Sequence, residues 1–249
     1  RQMCIRDRIN LDSLDQIEKE YEDEMHILEN RLNELAKEAM GDTPINLASP
    51  DDKNMLLYSR KVKDKGLWSM TFNLGHEMRG NTIKPKMKTR MKNTEFVRCV
   101  RRMTDIVYKT IGRQCQTCNG SGRVTPLKKD GSKGKAKRIC KVCVGKGVVY
   151  TSTGEVAGFK LIPRTVRDTA SAGFKTDKVT LEDRLSELDG NAREFCEAYV
   201  RYNALRTYLS TFVEGMKNNV DDDSFIHPEF MQCVTATGRL SSRDPNFQN

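Results

Sequence analysis

Leu11, Leu14, Ile17, Tyr21, Met25, Leu28, Leu32, Leu35 and Ala39 recur every three or four positions, with acidic residues between them and Gly41 after the run. This period puts one apolar stripe on a helix of about 30 residues, roughly 45 Å long at 1.5 Å per residue. Ser49-Pro50 predicts a second helix start, a cap followed by proline at the first helical position, with Met55, Leu56 and Leu57 behind it. From Asn73 to Lys92 the helical period disappears and the chain reads as loop or short strands. There Lys84, Lys86, Lys88, Arg90 and Lys92 occupy every second place, which in an extended chain aligns their charges on one face. The period returns from about Thr94 to Ile111, with Phe96, Val97, Val100, Met103, Val107 and Tyr108 expected inward. Lys160 to Asp189 reads as irregular, then helical from about Thr180. A last long helix is expected over Ala192 to Met216, and the strand-like FIHPEFMQCVTATG follows the acidic turn NNVDDDS.

Charge sharpens this picture. The net charge is +9, but Ile9 to Tyr58 carries 13 acidic and 4 basic side chains, whereas Ser59 to Val148 carries 24 basic and 5 acidic. A stretch with that excess calls for a polyanionic partner, and nucleic acid is the expected one. No apolar run approaches the length of a membrane-spanning helix and no signal-peptide pattern is present, so a soluble cytoplasmic protein without a membrane partner is expected.

The cysteines carry the clearest chemistry. CQTCNGSG and CKVCVGKG are two copies of C-x-x-C-x-G-x-G, with 21 residues between Cys118 and Cys140. Glycines at those places permit the positive φ of a tight knuckle, so Cys115, Cys118, Cys140 and Cys143 are predicted to offer four thiolates to one Zn2+. Four cysteines leave no open coordination position, which makes the metal structural. Lys128, Lys129, Lys133, Lys135, Lys137, Arg138, Lys141 and Lys146 crowd the same hairpin, as expected of a phosphate-contacting finger. Cys99, Cys196 and Cys233 stand alone in apolar settings and read as core; His26, His76 and His227 form no triad with any nucleophile. Residues 1–8, RQMCIRDR, match the translation of a transposase sequencing adapter and are excluded from fold reasoning as a scar.

The C-terminal stretch HPEFMQCVTATGRLSSRDPNFQN resembles the segment of family A DNA polymerases that leads into the palm, close to H-P-x-F-x-Q-x-x-x-x-T-G-R-L-S-S-x-x-P-N-x-Q-N. Upstream, Asn46 to Pro50 resembles the N-x-x-S-P that starts a thumb helix, and Tyr202 with Leu209-Ser210-Thr211-Phe212-Val213 resembles the helix leaving the thumb. The chain departs from that pattern at Asn203, where arginine is usual, and at Thr207, where a DNA-contacting lysine is expected.

The resemblance implies a mainly α fold: long antiparallel thumb helices, an inserted zinc-bound β-hairpin finger and the first strands of an α+β palm. The implied organisation is a scar at 1–8, thumb helices and basic loop at 9–111, the Cys4 insertion at 112–150, the thumb return and long helix at 151–218, and the start of the palm at 219–249. Primer-template DNA is the implied partner, contacted by Arg239, Ser241, Ser242, Asn246, Gln248, Ser210 and Thr211 together with Lys84, Lys86, Lys88 and Arg90. Arginine and amide side chains in the minor groove meet an N3 or O2 acceptor at every base pair, so they sense pairing without reading sequence. The implied parent is a monomeric DNA-directed DNA polymerase of a bacterial cell or phage-infected host, using deoxynucleoside triphosphates and Mg2+. Its catalytic aspartates are expected after the P-N-x-Q-N run, whereas Asp221, Asp222 and Asp223 read as a solvated turn.

Two other readings start from the same residues. One is a free-standing zinc-dependent nucleic-acid-binding module. The other is a J-domain-type zinc chaperone, whose cysteine repeats are similar; here only two repeats occur, and His227-Pro228 is followed by Glu229 where those proteins carry aspartate.

Overall fold

The computed structural model describes residues 7–80, 82–125, 137–231 and 241–243. Its helices are α1 (Leu11–Met40), α2 (Pro50–Tyr58), α3 (Lys65–Phe72), α4 (Asn93–Met103), α5 (Lys178–Glu182), α6 (Gly190–Thr207) and α7 (Glu214–Asn218). The strands are β1 (Asp7–Arg8), β2 (Arg60–Val62), β3 (His76–Arg79), β4 (Thr82–Pro85), β5 (Thr104–Ile106), β6 (Tyr108–Gln114) and β7 (Arg123–Val124). They continue with β8 (Arg138–Ile139), β9 (Val148–Val156), β10 (Thr169–Ala170), β11 (Gly173–Phe174), β12 (Phe225–Ile226), β13 (Glu229–Met231) and β14 (Ser241–Arg243). All pair antiparallel in twos: β1 with β12, β2 with β5, β3 with β4, β6 with β9, β7 with β8, β10 with β11 and β13 with β14. The chain is thus helical with small antiparallel pairs, and it divides into two compact units, one of residues 33–194 and one of 1–32 with 195–249.

The core of unit 33–194 is an aromatic chain. Tyr58 meets Phe174 at 4.7 Å between ring centroids, Phe174 meets Trp68 at 5.4 Å, Trp68 meets Phe72 at 4.6 Å and Phe72 meets Phe96 at 5.8 Å. The polar ends of these buried rings are satisfied: Trp68 Nε1 donates to the Ala170 carbonyl at 2.9 Å and Tyr58 Oη to that of Lys175 at 2.7 Å. Helix α2 starts as predicted, with Ser49 as N-cap and proline in the first turn. Helix α3 was not anticipated. Asp64 caps it by accepting from the Gly66 and Leu67 N–H groups, and it is too short for an apolar period to stand out.

Two sequence expectations fail at helix ends. The helix expected to reach Ile111 stops at Met103, because Thr104–Ile106 pairs with Arg60–Val62 and the next residues form β6. Thr104, Ile106, Val107, Thr110 and Ile111 are β-branched residues that fit a pleated ladder once partner strands exist. Val97 and Tyr108, expected inward, are exposed.

The last long helix is also broken. It is α-helical to Thr207, π-helical over Tyr208–Val213, and α-helical again from Glu214. Asn203 donates to the Tyr199 carbonyl, Thr207 to Asn203 and Ser210 to Arg206, so three side chains compete for helix carbonyls just where the helix widens.

In the other unit, α1 runs beside α6. Arg201 grips both carboxylate oxygens of Glu24 at 2.7 Å, and Lys217 reaches Asp15 and Glu18 at 2.5 Å. Tyr21 and Tyr208 meet at 6.2 Å. No helix among the described residues is long and apolar enough to cross a membrane.

Candidate metal centre and nucleic-acid interface

Strands β6 and β9 form a two-stranded stalk, pairing Tyr108 with Val156 at one end and Gln114 with Val148 at the other. The two cysteine knuckles sit at its far end, related by a local two-fold. Cys115 N–H donates to Gly147 O at 2.8 Å and Cys140 N–H to Gly122 O at 2.9 Å. Within each knuckle the N–H three residues after the second cysteine points back to that cysteine: Ser121 to Cys118 O and Lys146 to Cys143 O, both at 3.0 Å. The knuckles interlock at glycine. A Cβ on Gly122 would lie 2.2 Å from Gly145 O, and one on Gly147 would lie 2.2 Å from Gly120 O, at φ +69° and +75°. The sequence motif exists because no other residue fits there.

All four cysteine side chains are buried, and their sulfurs lie within 4.8 Å of one another. Cys115 Sγ is 3.8 Å from Cys140 Sγ, and Cys118 Sγ is 3.6 Å from Cys143 Sγ. A tetrahedral zinc with bonds of about 2.3 Å has sulfur–sulfur edges of about 3.8 Å, so the arrangement fits that ion, whereas a disulfide needs about 2.05 Å. Burial pushes the Cys115 thiol up, but hydrogen bonds from the Cys118 and Thr117 backbone N–H groups and from the Cys118 and Cys140 thiols outweigh it, bringing Cys115 down to about 7. Cys118 goes the other way, to about 11, through burial and its contacts with Cys143 and Cys115. In the metal-free cluster Cys115 is thus the readier thiolate of these two. Cys196, read as core, is buried, with its thiol pushed up to about 12, and Cys99 is half-buried; Cys233 lies outside the described residues.

The two knuckles share a backbone but present different surfaces. The first displays Gln116, Thr117 and Asn119, the second Lys141, Val142 and Val144. Asn119 has φ +47° and Val144 has φ +49°. Asparagine tolerates that left-handed conformation; a β-branched valine there is an outlier, costing on the order of 1–2 kcal/mol.

The structure distributes the predicted DNA-contacting residues unevenly. Lys84 lies exposed on β4, and Lys86 and Arg90 follow it, also exposed, in irregular backbone. The alternation therefore does not continue as one strand. Lys88 turns inward, and its Nζ donates to the carbonyls of Arg167 and Thr169. Burial, and then the neighbouring Lys175, hold its pKa below the usual lysine range.

Ser210 and Thr211 are exposed in the π-helical segment, though the Ser210 hydroxyl is bonded to Arg206 O. Ser241 and Ser242 lie on β14 opposite Met231 and Phe230, with Ser242 buried. Arg239, Asn246 and Gln248 fall outside the described residues, as do Lys128, Lys129, Lys133 and Lys135. Asp221 organises its turn as expected, accepting from His227 Nε2 at 2.7 Å and from the Phe225 and Asp223 N–H groups. These bonds, His227 first, hold its carboxyl below the usual range.

Residues 152–249 match the model for DNA polymerase family A. That stretch is similar to the family's members. DNA polymerase I of Lactococcus lactis subsp. cremoris is 35% identical over 91 residues, which is 36% of this chain and 10% of that protein. DNA polymerase I of Synechocystis is 38% identical over 78 residues, 31% of the chain and 7% of the protein, and that of Bacillus subtilis 37% over 76, 30% and 8%. The chain spans about a tenth or less of the length of these polymerases. The cysteine ribbon lies outside the family A match. These relatives lend no support to the chaperone reading or to a free-standing module.

One feature escaped sequence reading: a cleft floored by Tyr58, Phe96, Val100 and Leu161, with Arg60, Arg101 and Lys160 also lining it. Burial, and then Arg101, hold Arg60 below the ordinary arginine range. Its residues come from separate segments, so no local pattern could have signalled it.

Proposed function

We propose that this chain is the primer-template-binding part of a DNA-directed DNA polymerase. The family A match over residues 152–249 carries the reading, because it takes in the Thr237 to Asn249 run that resembles the approach to the palm. Residues 9–111 are the thumb helices and basic loop, 112–150 a Cys4 zinc-finger insertion, 151–218 the thumb return and long helix, and 219–249 the start of the palm. Cys115, Cys118, Cys140 and Cys143 hold one structural Zn2+, which orders a ribbon that lacks an apolar core of its own.

Binding is electrostatic and indifferent to sequence. Lys84, Lys86 and Arg90 contact phosphates; Ser210, Thr211, Ser241 and Ser242 add hydroxyl contacts; Arg239, Asn246 and Gln248 read the minor groove of a paired primer end. Lys88 is withdrawn from this set, since its ammonium is committed to Arg167 and Thr169. Template-directed synthesis from deoxynucleoside triphosphates, with Mg2+, is assigned to the parent enzyme, a cytoplasmic monomer of a bacterial cell or phage-infected host. No residue of this chain is given a catalytic role.

Fluorescence anisotropy of a labelled primed duplex, titrated with the zinc-loaded chain between about 50 and 200 mM salt, tests the reading. Affinity should fall at least a hundredfold across that range if six or more phosphates are neutralised. Absence of salt-dependent binding overturns it.

A further inference from the structure

The asymmetry of the two knuckles concerns a surface that the polymerase reading leaves unused. Ile139, Val142 and Val144 are 65%, 58% and 74% exposed. They share one knuckle: Ile139 Cγ2 lies 3.3 Å from where a Gly145 Cβ would sit, beside Val144, and Val142 and Val144 flank Cys143 in sequence. Arg138, Lys141 and Lys146, all exposed, interleave with them in sequence. At the equivalent place in the first knuckle Gln114 Nε2 donates to Asn119 O at 3.0 Å, a polar arrangement that covers its own turn. The second knuckle instead holds valine in a left-handed backbone conformation and turns it to solvent. Folding does not explain that choice, because asparagine occupies the same conformation in the sister knuckle at less strain. A strained residue with no packing role points to a surface role.

We propose that the second knuckle, Ile139 to Lys146, is a nucleic-acid contact in its own right, seating Val142 and Val144 against the deoxyribose face of a DNA strand while Arg138, Lys141 and Lys146 take the flanking phosphates. The occupant follows from charge and shape. Three cations interleaved with the apolar side chains favour a polyanion, and aliphatic groups match the apolar sugar edge that alternates with phosphate along the backbone. The aliphatic side chains carry no hydrogen-bonding group and the three cations are assigned to phosphates, so the contact is blind to sequence. This inference rests on the reading of the chain as a DNA-binding part of a polymerase.

The test is Val144→Asn, which gives the second knuckle the residue of the first. Zinc content and thermal stability are measured beside anisotropy on the same primed duplex, with Lys141→Gln as a second variant. Val144→Asn should keep one zinc and an equal or higher Tm yet bind DNA about five-fold more weakly, with the salt slope unchanged, because a neutral contact is lost. Lys141→Gln should lower the salt slope by about one. If the parent chain binds and Val144→Asn binds equally well or more tightly, the knuckle contact is overturned and the polymerase reading stands. If the parent chain shows no salt-dependent binding, both fall.

Discussion

Asn54 satisfies both backbone groups of Phe174, a residue 120 positions away: its Oδ1 accepts from the Phe174 N–H at 2.6 Å, and its Nδ2 donates to the Phe174 carbonyl at 3.2 Å. The same Nδ2 also donates to Pro50 O at 2.9 Å. One buried amide thereby ties α2 to β11 across the whole ribbon insertion. Asn54→Leu leaves the Phe174 N–H and carbonyl without partners in the core and should destabilise unit 33–194 by about 2–4 kcal/mol. Urea unfolding followed by the fluorescence of Trp68, the only tryptophan, measures this directly, since its ring packs on Phe174.

Glycine positions in the ribbon divide by what surrounds them. Gly122→Ala places a methyl 2.2 Å from a backbone carbonyl and should abolish zinc binding, leaving metal content near zero. Gly154→Ala, at φ +84° with nothing within 4 Å, meets only backbone strain. It should cost on the order of 1 kcal/mol and retain one zinc per chain.

Lysines two apart should respond to substitution in opposite ways. Lys84→Ala and Lys86→Ala, at exposed positions, should each lower the salt slope of DNA binding by about one while leaving Tm unchanged. Lys88→Ala should leave that slope alone and instead destabilise the chain by about 1–2 kcal/mol, because the carbonyls of Arg167 and Thr169 lose a charged donor.

Acid should loosen the pairing of α1 with α6. The Arg201 hydrogen bonds hold the Glu24 carboxyl below the ordinary glutamate range, against a smaller opposing effect of burial. A depressed carboxylate contributes its full stabilisation above the unfolded value of about 4.3 and loses it as pH falls through the folded value. Tm should therefore drop more steeply below about pH 4 in the parent chain than in Glu24→Gln. Equal slopes would remove Glu24 from that account.

Zinc affinity should weaken as protons compete for the thiolates. With Cys115 at about 7 and Cys118 at about 11 in the metal-free cluster, binding at neutral pH must displace a proton from Cys118 at least. Competition with a chromophoric chelator should show affinity rising from about pH 6 to 8.

The cysteine cluster and the first helix were legible because each rests on local spacing. Glycines at fixed offsets from paired cysteines report the knuckle geometry itself, and an apolar step of three or four reports a helix face. Thr104 to Ile111 was misread because its pattern also suits a helix; only the strands that pair with it, Arg60–Val62 and Val148–Val156, decide the matter, and they lie far away in sequence. The break at Tyr208 depends on side chains bonding one turn back, and apolar periodicity is insensitive to that. Lys88 has the same sequence context as its neighbours; its inward turn is set by a carbonyl pair about 80 residues on. The strain at Val144 was hidden for another reason: valine is ordinary in composition and unusual only at its backbone angle.

Where β6 and β9 begin and end, Tyr108 and Val156 are partners, and Ala157 N–H donates to Val107 O at 2.9 Å. The polypeptide therefore leaves for the ribbon and returns at nearly the same spot, so a short turn could bridge the gap and excise the whole appendage. A gene can gain, lose or reshape such a graft without disturbing the aromatic chain that holds its host together.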